Sequence, residues 1–141
     1  METSFKYRLR SPVGGLAANL TARTLVSTPP ADHSLRIHQQ VWLSHPIGGL
    51  YWKDAAWLSF GLALHAEILA SRYPEGLGIQ VVSLQAPLSD YRSEVAALAM
   101  DGWLRAEFDL PAAGVEVTFR EADGEYIFHW GNIESPFADR P

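Results

Sequence analysis

The chain reads as one α+β domain, a two-layer sandwich in which a mainly antiparallel sheet carries two helices on one face. Three observations predict it. Phe5, Tyr7 and Leu9 alternate with Lys6, Arg8 and Arg10, the period-two pattern of a strand with one buried and one wet face. The stretch 77–108, LGIQVVSLQAPLSDYRSEVAALAMDGWLRAEF, runs from an apolar strand through a turn into a closely packed helix. Asp123-Gly124 lies between two alternating segments, a favoured hairpin turn.

Size and composition agree with that reading. The 141 residues suffice for one core and are too few for two ordinary domains, so residues 1–141 form a single unit. Hydrophobic residues make up 48% and charged residues 19%, enough apolar surface to offset the entropy of ordering the chain. The absence of cysteine excludes disulfides, thiolate catalysis and cysteine-ligated metals, and fits a reducing, cytoplasmic setting. The opening METSFKYRLR lacks the apolar core and cleavage site of a secretory leader, and is read as unprocessed. No run approaches the ~18 apolar residues that span a bilayer, so no membrane partner is expected.

The individual elements follow from periodicity. After a Pro12-Gly14-Gly15 turn, a second strand places Leu16, Ala18, Leu20 and Ala22 on one side and Asn19, Thr21 and Arg23 on the other. Ser27 to His33, with Pro29-Pro30, is a loop. A third strand sets Leu35, Ile37, Val41 and Leu43 inward, and Arg36, His38, Gln40 and Trp42 outward, with Gln39 as an exception. Pro46-Ile47-Gly48-Gly49 breaks it, and one helix from about Lys53 to Ser71 follows. Trp57, Leu58, Gly61, Leu62, His65, Ile68 and Leu69 share a face of that helix. Gly61 there costs about 1 kcal/mol relative to alanine, which implies that another backbone approaches closely.

Ile79 to Ala86 has the look of a central strand. Ser89 or Asp90 can cap a second helix from about Tyr91 to Glu107. Its buried stripe is Val95, Leu98, Ala99, Gly102 and Ala106, and its solvated flank Glu94, Asp101 and Arg105. In the last hairpin, counting back from the turn sets Phe119 opposite Phe128, Val117 opposite Trp130 and Thr118 opposite His129. The tail 132–141 reads as loosely ordered.

Several of these segments resemble the fourth domain of translation elongation factor G and its ribosome-protecting relatives. The features are Ile47-Gly48-Gly49 ahead of the first helix, Gly61-Leu62 within it, Gly78-Ile79-Gln80-Val81 as the return strand, and Ser93-Glu94-Val95-Ala96 opening the second helix. They span about residues 46–108, in the same order and spacing. The resemblance implies a βαβα core like that of the second domain of ribosomal protein S5, in a stand-alone form. It also implies a partner in RNA or the ribosome. The phosphate-cradling pattern G-x-x-x-x-G-K-[ST] is missing, so no GTP site is encoded, and no cofactor is expected.

Charge gives that implication a surface. Up to Trp52 the chain carries five basic residues, Lys6, Arg8, Arg10, Arg23 and Arg36, against two acidic ones, a balance of +3; the remainder carries six against fourteen, a balance of −8. The five cations, with His38 and Trp42, form an outward set that can hold phosphates while the ring stacks on a base. The plainer account is a solvated face that discourages edge pairing. Non-catalytic binding to an anionic partner is therefore the leading expectation.

Two alternatives stay open. A small enzyme or ligand-binding protein would use a pocket between helices and sheet for an apolar ligand, with His65, or His129 beside Glu116, Thr118 and Arg120, as acid/base. Asp54 lies about 16 Å from His65 by helix rise and cannot pair with it. The aromatic residues Trp42, Tyr51, Trp52, Trp57, Trp103 and Trp130 are the candidate pocket lining. An interaction or immunity protein would instead use the acidic second part against a basic protein partner. No histidine spacing favours a metal site.

Overall fold

The computed structural model describes residues 2–11, 14–26, 34–87 and 91–131. Seven strands and three helices follow in chain order: β1 (Glu2–Ser11), β2 (Gly14–Val26), β3 (Ser34–His38), β4 (Val41–Ser44), α1 (Trp52–Ala63), α2 (Ala66–Arg72), β5 (Leu77–Gln85), α3 (Glu94–Phe108), β6 (Val115–Arg120) and β7 (Glu125–Trp130). β1 to β5 form one sheet in the order β1-β2-β5-β4-β3, and β6-β7 form a separate hairpin. Only the β4–β5 pair is parallel, because α1 and α2 carry the chain back over the sheet between them. The fold is the expected α+β sandwich with a βαβα core.

Each strand buries the residues its alternation selects. In β1 the odd positions Phe5, Tyr7 and Leu9 pack against the core while the even ones stay exposed. Leu20, Ala22, Val41, Leu43, Ile79 and Val81 are fully buried beneath the helices. The close approach inferred from Gly61 is present: a Cβ there would lie 2.7 Å from the Ala97 carbonyl oxygen and 2.8 Å from Met100 Cβ on α3. A second notch, Gly102, receives the ring of Phe5. The Trp103 indole N–H donates to the Thr3 carbonyl at 3.0 Å and fixes α3 to β1.

Four expectations are corrected. The third strand is a hairpin, β3–β4, turning at Gln39-Gln40, with Gln39 at φ +45°. The first helix is two, because His65 sits at φ −114°, ψ 0° and its N–H bonds the Leu62 carbonyl at 3.1 Å, which ends α1 and turns the imidazole inward. In α3 every residue from Val95 to Leu104 is buried, Asp101 included, whereas Ala106 is exposed. Ser93 occupies the N-cap of α3; the predicted caps Ser89 and Asp90 lie outside the described residues, as does the tail 132–141.

The last hairpin keeps its predicted inner face but not its register. Phe119 pairs with Tyr126, Val117 with Phe128 and Val115 with Trp130, around a four-residue turn from Glu121 to Gly124. Asp123 accepts from the Glu125 N–H at 3.2 Å and from Arg120 Nε at 2.8 Å, and these bonds favour the wider turn. Trp130 stacks on Phe128 and meets Trp57 and Phe60 of α1 at ring-centroid distances of 5.3 and 5.2 Å. That cluster fastens the hairpin to the helix layer.

The segment before α3 is tied to α1 by the Tyr91 hydroxyl, which donates to Asp54 Oδ1 at 2.6 Å. Burial first, then this bond to a carboxylate, pushes the phenol well above its ordinary value of 10.0. An acid whose proton is held more tightly when folded contributes stability that is complete below the unfolded value and is lost above it. Stability is therefore expected to fall as pH rises past about 10, and Tyr91→Phe to flatten that fall. Denaturant midpoints from pH 8 to 11 check it, and equal slopes in both proteins would refute it.

Candidate functional site

The three helices lie on one face of the five-stranded sheet, and among the described residues no helix packs on the opposite face. Register rows cross it cleanly. Glu2, Arg23, Gln80, Ser44 and Ser34 are successive neighbours from β1 to β3, and Leu25, Gly78, Trp42 and Arg36 form a parallel row. Lys6, Arg8 and Arg10 run along β1 at the rim, all exposed. Five of the predicted cations and Trp42 thus share one surface. His38 drops out of the set, because Ile37 is an extra residue in β3 and shifts His38 opposite buried Val41.

The cations differ in their freedom. Arg23 is held in an ion pair with Glu2. Arg8 reaches the Tyr7 carbonyl at 2.7 Å and Asn19 Oδ1 at 2.7 Å, and Arg36 Nε donates to the Gln39 carbonyl at 2.7 Å. Lys6 and Arg10 carry no ion pair among the described residues. Internal bonds hold Arg8 and Arg36 in place without neutralising them, so both guanidinium groups are presented in fixed orientations.

His65 is 2% and Asp101 4% exposed, and His65 Nε2 donates to Asp101 Oδ1 at 2.6 Å. The other oxygen, Oδ2, accepts from Arg105 at 3.0 to 3.1 Å, and Arg105 lies at the surface. A carboxylate with one oxygen on a buried ring and the other on a guanidinium is fully satisfied. A side chain rather than a backbone carbonyl thus satisfies the buried imidazole.

One wall of the network opens on a cleft of ≈ 320 Å3. It is flanked by residues 5–8 of β1 and 115–117 of β6, and floored by Leu98, Asp101 and Arg105. His65 does not line it. Burial first, then Tyr126 and Asp101, raises the Tyr7 phenol above its ordinary range. The sequence offered one signal for this place: Asp101 is the one charged residue between Val95 and Leu104, and Arg105 stands four positions after it.

The second histidine centre lies in the open. Glu116 pairs with His129 across the β6–β7 ladder, and Thr118 Oγ1 is 3.2 Å from His129 Nε2, with all three exposed on the outer side of the hairpin. Arg120 is bound to Asp123 instead. Water surrounds this group, so the imidazole is neither desolvated nor enclosed. The aromatic residues also disperse. Trp103 and Trp130 are core, Trp57 joins Trp130, and Tyr51 and Trp52 stand 83% and 74% exposed at the start of α1.

Among the described residues no group of three histidine, aspartate or glutamate side chains is placed to hold a metal ion, and no helix is long and apolar enough to cross a membrane. No protein-family model matches the chain, and neither a curated protein nor a solved structure does.

Proposed function

We propose that this domain is a non-catalytic binding module that docks an anionic partner, RNA in the first place, on the sheet face opposite the helices. One observation carries the reading: Lys6, Arg8, Arg10, Arg23 and Arg36 share that face with Trp42, and among the described residues no helix covers it. Sheets that bind single strands combine a cationic track with a ring for stacking. The register supplies both, with Arg36 directly beside Trp42. The residues that resemble elongation factor G's fourth domain point the same way, toward RNA or a ribosomal surface.

The acidic remainder of the protein favours a local contact over general affinity. With a net charge of −5 the chain as a whole repels polyanions, and binding has to be confined to the basic face. Arg10→Glu with Arg36→Glu leaves the core untouched and is expected to reduce affinity for a single-stranded RNA oligomer at least tenfold. Fluorescence anisotropy at rising salt should give a log–log slope of about −2 to −4, as a few released counterions require. Salt-independent binding, or a double variant that binds as the parent does, would end this reading.

A further inference from the structure

The ≈ 320 Å3 cleft has an unusual construction. Its two walls are strand edges: among the described residues β1 pairs only with β2, and β6 only with β7. Alternate backbone N–H and C=O groups of each strand therefore point away from their own ladder. The floor is the apolar side of α3 at Leu98, with the Asp101–Arg105 pair beside it. At one end the β1 wall is tied to the other strand of the hairpin, where Ser11 Oγ of β1 and Tyr126 Oη of β7 lie 2.7 Å apart. Residues 5–8 leave about 13 Å of edge beyond that tie.

We infer that this cleft receives an extended acidic peptide segment, which adds a strand to β1 between the sheet and the hairpin. Backbone pairing supplies the affinity, as in other strand-addition complexes. Alternation supplies the selectivity. Inward side chains of the guest meet Tyr7, Leu98 and Val117, so they are apolar and small. Outward side chains come alongside Lys6 and Arg8, with Glu116 as the lone acidic group on the other wall, so they are carboxylates.

Charge also argues against a second copy of this chain as the guest. Edge-to-edge pairing of two β1 strands would align Lys6, Arg8 and Arg10 of one molecule with the same cations of the other. The charges that prevent self-pairing select an acidic guest. This inference goes beyond the RNA reading and does not depend on Arg36 or Trp42.

The probe is an acetylated, amidated hexapeptide of alternating glutamate and valine, titrated into the full chain and followed by amide NMR and hydrogen exchange. Binding should protect amides within residues 5–8 and 115–117, and the lysine–valine counterpart should not bind. Methylation of alternate peptide nitrogens is expected to weaken binding about tenfold, because it deletes the ladder donors. Glu116→Lys, an exposed change, should tighten it about fivefold. No binding, binding unaffected by N-methylation, or protection on the Arg36–Trp42 face instead would overturn the inference. So would an RNA oligomer that protects the same edge amides, or a dimer joined through β1. The RNA reading is judged apart, since Arg10→Glu with Arg36→Glu leaves the cleft lining unchanged.

Discussion

Replacing Asp101 by alanine is expected to destabilise the domain by about 3–5 kcal/mol, because it removes the acceptor that a buried ring and a guanidinium share. His65 is then left with an unpaired Nε2 at 2% exposure, enclosed where the junction of α1 and α2 meets α3. Arg105 loses its partner too, but its position at the surface lets water replace the carboxylate. The larger share of the cost therefore falls on the histidine. Exchanging both buried partners at once, His65→Leu with Asp101→Leu, should cost much less than Asp101→Ala alone, since no polar atom is stranded. Urea denaturation of the three proteins decides the matter. A double variant weaker than Asp101→Ala would show that the pair holds the helices in register rather than satisfying itself.

Gly61→Leu is the second substitution with a large expected effect. The side chain would enter space occupied by the Ala97 carbonyl oxygen and Met100 at under 3 Å, and a backbone oxygen cannot rotate away. Overpacking of that kind costs about 1–3 kcal/mol or more, and it outweighs the ~1 kcal/mol that a helix gains on losing a glycine. Gly61→Ala already forces the contact and should also destabilise. By contrast Gly102→Ala meets the ring of Phe5, and Phe5→Leu in the same chain should recover part of the loss. Thermal unfolding of the single and paired variants tests both notches; a neutral Gly61→Ala would mean that α1 and α3 separate at little cost.

Where the sequence was legible, one physical rule dominated the local outcome. β1, β2 and β5 alternate because one side of each faces the helices, and Gly61 announced a close crossing because nothing else justifies a glycine inside α1. Periodicity misled where more than one face is covered. α3 lies against α1, the sheet and the hairpin together, so a 3.6-residue stripe could not reveal that Asp101 is interior. The β3–β4 turn was concealed because Gln39 adopts a positive φ that glycine or asparagine usually signals.

For the candidate site, the cationic face was readable because β1 keeps strict alternation, and its one lost member, His38, fell to a bulge that composition does not mark. The cleft was invisible, since its walls come from opposite ends of the chain. Lys6 and Glu116 come to line one cleft only once the hairpin has docked through Trp130.

The central place of β5 has a consequence for how the nascent chain matures. Leu77 to Gln85 fills the slot between β2 and β4, yet it is made after both of them. Until then those two strands have no common neighbour, and the fully buried Leu20 and Ala22 of β2 also lack α3, which packs on that strand and is made later still. Assembly thus waits on late, long-range pairing, which makes it slow and leaves truncated products adhesive. Fragments ending before Leu77 should be captured by chaperones or precipitate, whereas the whole chain folds in one cooperative event.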